Sequence, residues 1–243
     1  MSASRTRNVS SLRTVDPSRS NEVTHRRETS RRRGALRLVD HDRRERGSWS
    51  LTGTQVTNIR AAAVHAVKIG LPLNRFVTIN LEAGGSLDCV KSIGRFLKLQ
   101  RDWIASKDAE LAYVWTQESA PCVGQHAHIL LHVPPPIVRQ ASNMHRRWLA
   151  ASGVISSRGI IRTKPVGRSY RHALVEEQYG ERYWSHLQAA IGYILKQDGD
   201  VVSRPYRRPG KSCLSFVEGK RCGTSQNIGA SARVKARSLA ECP

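Results

Sequence analysis

The sequence predicts an α+β domain in which helices pack on an antiparallel sheet. Segments with apolar residues at helical spacing alternate with short segments of alternating polarity. Two of the short segments follow one another and are joined by "SAPCVG", whose proline and glycine are typical of a hairpin loop. A length of 243 residues with 39% hydrophobic content is sufficient for one packed core.

The elements are predicted in a simple order. Gly70 and Pro72 end the first helix, Ser86 is the expected N-cap of the second with Leu87 on its apolar stripe, and Gly153 closes the third. The predicted segments are a helix in 52–70, a strand in 75–82, a helix in 86–108, strands in 110–118 and 125–133, and helices in 134–153 and 181–200.

Composition divides the chain into three parts. Residues 1–47 are rich in arginine and serine and lack an apolar pattern, so they are predicted to be a disordered basic arm. Residues 48–200 contain the predicted elements and form the expected domain. Residues 201–243 combine prolines and glycines with many basic residues and are predicted to be a basic C-terminal extension that is either loop-like or dependent on a partner.

The charge indicates the kind of partner. Forty Lys and Arg residues against nineteen Asp and Glu give a formal net charge of +21, which suits a polyanion better than a small neutral substrate. Nucleic acid is the expected partner, and an anionic membrane surface is the alternative. No apolar run approaches the ~20 residues of a membrane helix. Five scattered cysteines without a CxxC pair indicate reduced thiols and a cytoplasmic protein.

Three histidines lie in the predicted strand 125–133. In a strand His126, His128 and His132 share one face, while the apolar residues between them face the core. At ~3.3 Å per residue, His126 and His128 are ~6.6 Å apart and His128 and His132 are ~13 Å apart. Only the first pair can share one ion, so His132 is expected to be an ordinary histidine at the strand end.

The hairpin supplies a third ligand. A symmetric register places Glu118 opposite His126, with their Cβ atoms ~5 Å apart. Two imidazoles and a carboxylate then converge on one sheet face, a set that suits Mg²⁺, Mn²⁺ or a transition ion with open positions. The alternative is a group of polar strand residues on a solvated face.

The last predicted helix carries a tyrosine and a lysine on its polar side. Helical spacing places Trp184, Leu187 and Ile191 on the core side and Tyr193 and Lys196 opposite. A phenol with an ammonium group three residues later is a candidate nucleophile with a cationic neighbour. The alternative is an ordinary exposed pair.

Taken together, the strand "FVTINLE", the His-hydrophobic-His strand "HAHILL" and the Tyr-x-x-Lys helix "YILK" resemble the three motifs of the HUH endonucleases. Within that superfamily the single-tyrosine rolling-circle replication initiators of plasmids and single-stranded DNA phages are the most similar group. The resemblance covers residues ~50–200 and implies a ferredoxin-like, HUH-type sheet. It implies a divalent metal at His126, His128 and an acidic or polar third ligand, for which Glu118 has the matching position. It also implies a Tyr193 nucleophile and an assisting Lys196.

The resemblance also implies an activity. The expected enzyme is a metal-dependent endonuclease and strand transferase that nicks and rejoins single-stranded DNA at an origin through a 5′-phosphotyrosine, with a host replication helicase or polymerase as a further candidate partner. A relaxase or transposase of the same fold and a non-catalytic, repressor-like DNA-binding protein are the alternatives. Basic residues expected to follow the DNA backbone are Arg158, Arg162, Lys164, Arg168 and Arg171, and the alternative is an ordinary run of solvated charges.

Overall fold

The computed structural model describes residues 47–120, 124–167, 180–195 and 216–240. The strands are β1 (Gly47–Ser48), β2 (Arg75–Asn80), β3 (Tyr113–Ala120), β4 (Gly124–Leu131), β5 (Ile161–Pro165), β6 (Val217–Glu218) and β7 (Cys222–Thr224). The helices are α1 (Gly53–Lys68), α2 (Cys89–Ala105), α3 (Val138–Ala151), α4 (Glu181–Ile194) and α5 (Ala230–Ala240), with short 3-10 turns at Pro135–Ile137 and Gln226–Ile228.

The fold is α+β, as the sequence predicts. Five strands form one sheet in the order β5-β2-β4-β3-β7, and every neighbouring pair in it is antiparallel. Strands β1 and β6 form a separate two-stranded ladder. The central position of β4 gives its side chains neighbours from β2 and β3 on both sides.

One sheet face carries the first apolar core. Alternate residues of β2, β3 and β4 pack there against α2 and α3, and Ala127, Ile129 and Leu131 are completely buried in it. These are the residues of the histidine strand that the period-two pattern assigned to the core. That part of the prediction is confirmed.

The opposite face is divided into an apolar end and a polar end. Val114, Leu130 and Phe76 pack at the apolar end against α1 and α4, which form the second core. Helices therefore cover both faces of the sheet. At the polar end the same strands carry Glu118, His126 and His128.

Two details of the second helix differ from the prediction. Helix α2 begins at Cys89 with Asp88 as its N-cap, whose carboxylate accepts from the backbone N–H of Lys91 at 2.9 Å. Ser86 lies before the helix, where its hydroxyl contacts that of Ser92 at 2.9 Å. Leu87 therefore does not join the apolar stripe and is fully exposed. An aspartate cap two residues later outcompetes the serine because its charged oxygen also favours the helix N-terminus.

The prediction of a loop-like C-terminal extension is wrong for its described part. Strand β7 pairs with β3 at the edge of the main sheet, β6 pairs with β1, and α5 follows. The sheet thus draws on residues beyond the predicted domain range 48–200. Gly47, the expected last residue of the basic arm, lies in β1 opposite Glu218. The short strands could not be predicted from local periodicity because two or three residues show no period.

Two general properties complete the description. No helix in the described ranges combines the length and apolar character that crossing a membrane requires. Cys89 and Cys222 carry free thiols, and burial raises the pKa of both. The remaining cysteines, and the rest of the predicted basic arm, lie outside the described residues.

Candidate metal centre

The β3–β4 hairpin brings a carboxylate and two imidazoles together. The register pairs Glu118 directly with His126 and Thr116 with His128. Because directly opposed residues project from the same face, Glu118, His126 and His128 share the polar end of the sheet. The predicted register is therefore confirmed.

These three side chains form a compact buried group, called here the metal group. One possible ligand atom from each lies within 4.8 Å of the others. The Nε2 atom of His126 is 2.7 Å from Oε1 of Glu118, and Nε2 of His128 contacts the same oxygen. All three residues are less than a tenth exposed. Of the described residues, only these form a His, Cys, Asp and Glu group with the proximity that metal binding needs.

A hydrogen bond sets the tautomer of His126. Its Nδ1 lies 3.0 Å from the carbonyl oxygen of Gly124, which can only accept. Nδ1–H therefore donates, and Nε2 is the nitrogen left to bind a cation or to share a proton with Glu118. Gly124 holds this carbonyl with φ of +72°, and a Cβ there would lie 2.5 Å from the Glu82 carboxylate. A glycine is required at this position for both reasons.

His128 is held from the neighbouring strand. Its Nδ1 lies 3.1 Å from the hydroxyl of Thr78, which is its directly opposed residue on β2. Metal-binding histidines typically use their second nitrogen in such a contact, which fixes the orientation of the ring. On the other side, Thr116 also opposes His128, and its buried Oγ1 has no hydrogen-bond partner among the described residues.

The donor set fits a divalent cation. Two unprotonated imidazole nitrogens and a carboxylate oxygen in contact would repel one another. A bound cation, or protons shared among the three atoms, would remove this repulsion. Two imidazoles and one carboxylate leave coordination positions for water or phosphate oxygens. The metal group could therefore hold a metal ion.

Tyr193 lies beside the metal group. Its ring centroid is 5.0 Å from that of His128 and 5.7 Å from that of Phe76, with edge-to-face geometry in both pairs. About half of Tyr193 is exposed, while Leu187, Ile191 and Ile194 of the same helix are buried. Helical periodicity predicted that Tyr193 leaves the core. It could not show which part of the sheet the ring would reach.

The structure describes three of the five basic residues that were predicted to bind DNA. Arg162 opposes Thr78, which opposes His128, so the three occupy one row across β5, β2 and β4. At ~4.8 Å between strands, the Cα atoms of Arg162 and His128 are about 10 Å apart. Lys164 follows on the same face, and Arg158 is exposed in the turn before β5. Lys196, Arg168 and Arg171 lie outside the described residues.

Arg221 is a neighbour of the metal group that the sequence did not indicate. Its side chain is buried, its Nε donates to Oγ of Ser48 at 2.8 Å, and its carbonyl accepts from N–H of Gln117 at 2.7 Å. Burial lowers the pKa of the Arg221 guanidinium, and the negative charge of Glu118 opposes this effect. A single arginine in a basic, proline-containing segment carries no signal that would have identified it.

The other two buried histidines among the described residues lie elsewhere. The Nδ1 atom of His132 is 2.9 Å from the carbonyl oxygen of Pro72, and burial lowers the pKa of this histidine. His145 of α3 lies in the core on the far side of the sheet, where its Nδ1 is 3.1 Å from Oγ1 of Thr163. Neither belongs to the metal group. His132 therefore lies apart from the metal group, at the end of the strand.

No protein-family model matches this chain, and no curated protein is a significant match to it.

Proposed function

We propose that this protein is an HUH-type, single-tyrosine rolling-circle replication initiator that nicks and rejoins single-stranded DNA. The observation that carries the proposal is the half-exposed Tyr193 ring, packed 5.0 Å from the ring of His128 in the metal group. A nucleophile candidate and a metal-binding candidate reach one place from two distant parts of the chain. The formal net charge of +21 suits the polyanionic substrate.

The metal group would hold the cofactor through His126, His128 and Glu118. Mg²⁺ or Mn²⁺ bound there supplies Lewis acidity towards a non-bridging oxygen of the scissile phosphate. The Nδ1 contacts of His126 with Gly124 and of His128 with Thr78 keep both Nε2 atoms directed at the site.

Tyr193 performs the covalent step. Its phenol loses its proton and the Oη atom attacks phosphorus, forming an O–P bond while the bond from phosphorus to the 3′ oxygen breaks. The leaving oxygen takes up a proton and becomes a 3′-hydroxyl. The product is a 5′-phosphotyrosine, and attack by a 3′-hydroxyl on this ester reverses the reaction. Lys196 is proposed to accept the tyrosine proton or to stabilise the developing negative charge.

In this proposal the exposed cations of β5 and of the turn before it bind the DNA backbone. Arg162 lies in the same row as His128, and Lys164 and Arg158 flank it. Arg168 and Arg171 continue the same basic stretch of sequence. Contacts of this kind contribute affinity without sequence preference. The DNA partner is a replication origin in single-stranded form, and a host helicase or polymerase acts on the nicked product.

The decisive experiment is covalent capture. Intact protein is incubated with a pool of single-stranded oligonucleotides and Mn²⁺, and a denaturing gel resolves any shifted protein band. We expect an adduct that EDTA prevents and that Tyr193→Phe abolishes, with DNA affinity nearly unchanged because one hydroxyl contributes little to a phosphate-dominated surface. Sequencing the captured DNA identifies the site.

The matched control is Tyr183→Phe on the same helix. Tyr183 is buried and its hydroxyl donates to the carbonyl of Leu73 at 3.3 Å, so this variant also loses one phenol hydroxyl and should still form the adduct. An adduct that persists in Tyr193→Phe contradicts the assignment of the nucleophile. Oligonucleotide binding without any adduct in Mn²⁺ favours the non-catalytic, repressor-like alternative.

A further inference from the structure

Two large aromatic side chains lie together on the surface. Trp49 is 60% exposed and Phe216 is 39% exposed, and their ring centroids are 5.4 Å apart at an interplanar angle of 60°. Single exposed apolar residues are common on protein surfaces, whereas adjoining exposed aromatic rings mark interaction sites more often. The two rings are called here the aromatic pair.

The backbone holds the aromatic pair in place. Each ring adjoins the β1–β6 ladder, in which Ser48 opposes Val217. Val217 is completely buried and anchors this ladder. The Phe216 ring lies directly on Gly47, because a Cβ at that position would be 2.1 Å from Cζ of the ring. The glycine therefore permits the position of Phe216.

Arg221 connects the aromatic pair to the metal group. The buried guanidinium donates to Oγ of Ser48 at 2.8 Å and also contacts the Ser48 carbonyl, immediately before Trp49. The Arg221 carbonyl accepts from Gln117, immediately before Glu118. Because one buried residue makes both contacts, it links the backbone next to Trp49 with the backbone next to Glu118.

The chemistry of this surface suits a nucleobase. Exposed aromatic rings bind single-stranded nucleic acid by stacking, and basic residues bind the phosphates between the bases. Lys220 is exposed in the turn between β6 and β7, and the chain as a whole carries a net charge of +21. The exposed Glu218 is the local negative charge, and it opposes Gly47 in the ladder. A neutral, flat, unpaired base attached to a polyanionic backbone complements both the rings and the charge.

We propose that Trp49 and Phe216 form a stacking platform for a base of the single-stranded DNA that reaches the metal group. This inference rests on the proposed function for the identity of the ligand and adds a second point of contact to it. Stacking makes binding depend on the presence of a base but only weakly on which base it is. Trp49 supplies most of the contact because it has the larger and more exposed ring.

The test measures binding without catalysis. Intact protein is titrated in EDTA into a fluorescently labelled oligonucleotide, and into an oligonucleotide of equal length and charge made of abasic residues. We expect Trp49→Ala to weaken binding of the base-bearing oligonucleotide by about 5- to 150-fold, the range for loss of one stacked base. Binding of the abasic oligonucleotide and the dependence of affinity on salt should stay the same, and Trp49→Phe should recover most of the affinity.

Further variants separate base stacking from general apolar contact and from self-association. Gly47→Ala displaces Phe216 and should cause a smaller, base-dependent loss, whereas Leu239→Ala, which removes an exposed apolar side chain from α5, should cause none. The proposal would be overturned if Trp49→Ala lost as much affinity for the abasic oligonucleotide as for the base-bearing one. The proposal would also be overturned if Trp49→Ala kept its affinity for the base-bearing oligonucleotide but changed its oligomeric state in size-exclusion chromatography. The aromatic pair would then be a contact between copies of this chain.

Failure of this inference is distinguishable from failure of the proposed function. The binding assay contains no metal and forms no covalent bond, so Tyr193→Phe should show the same base-dependent affinity as the parent protein. Absence of a covalent adduct in the parent protein counts against the nickase alone. Absence of a base-dependent loss in Trp49→Ala counts against the platform alone.

Discussion

The buried histidines in the described part of the chain fall into two sets whose surroundings differ. His126 and His128 face a carboxylate across the hairpin, and the exposed Tyr193 adjoins them. His132 and His145 are equally buried, but their hydrogen-bond partners are neutral groups. His132 contacts the carbonyl of Pro72, and His145 contacts the hydroxyl of Thr163 and the amide of Gln100.

The comparison shows that burial does not identify a metal ligand. What distinguishes His126 and His128 is that both direct Nε2 at one charged oxygen and have the second nitrogen engaged by another group. His132 uses Nδ1 for a backbone contact at the end of the strand, where no carboxylate faces it. The two sets of histidines differ in their partners, and a single sequence shows those partners only where they are close in the chain.

The largest expected difference between the two sets of histidines is in the affinity of the protein for Mn²⁺. His126→Ala or His128→Ala removes one imidazole donor, so we expect Mn²⁺ affinity to fall by more than about 100-fold, beyond the scale seen for supporting residues. Isothermal titration calorimetry on the intact protein measures it. The control is His132→Ala, which should keep Mn²⁺ affinity and lose only ~1 kcal/mol of stability. If His132→Ala weakens Mn²⁺ binding as strongly, the composition of the metal group is wrong.

The second effect is on stability at acid pH and concerns His145. Burial lowers the pKa of His145 from 6.5 to about 4, with neutral Gln100 and Thr163 as its polar contacts. Between these values the unfolded chain binds a proton that the folded chain excludes. Stability should therefore fall as the pH decreases from about 6.5 to about 4, by at most ~3 kcal/mol from this residue, and its contribution should level off below.

Urea denaturation at several pH values measures this dependence. His145→Gln should flatten the part of the curve between pH 6.5 and 4 even if it lowers stability at every pH, so the slope is the relevant quantity. His132 adds a loss in the same direction, because burial lowers its pKa as well. An unchanged slope in His145→Gln would show that this histidine does not resist protonation in the folded protein.

The smallest effect concerns the hydroxyl that orients His128. Thr78→Val keeps the shape of the side chain and removes its contact with Nδ1, so Mn²⁺ affinity should fall by about 10-fold, the lower end for such supporting contacts. Thr116→Val is the matched control. It opposes His128 from the other neighbouring strand, its hydroxyl has no partner within the described ranges, and its loss should leave affinity unchanged. A larger loss in Thr116→Val would instead assign that hydroxyl to the bound ion.

Local connectivity explains what could be predicted from the sequence. Glu118 and His126 are eight residues apart in one hairpin, so alternation of side chains and a short loop determine their register without any distant contact. The burial of Ala127, Ile129 and Leu131 follows from the same alternation. The exposure of Tyr193 follows from the helical period of its neighbours.

Only the tertiary structure decided where these pieces meet. The period of α4 shows that Tyr193 leaves the core, but its position beside His128 depends on how α4 packs on α1 and the sheet. The contacts of Arg221 with Ser48 and of Phe216 with Trp49 join residues more than 160 positions apart. Such contacts form because many buried groups pack together at once. No short stretch of sequence encodes the combined effect of these contacts, and so the metal group could be predicted while its neighbour Arg221 and the aromatic pair could not.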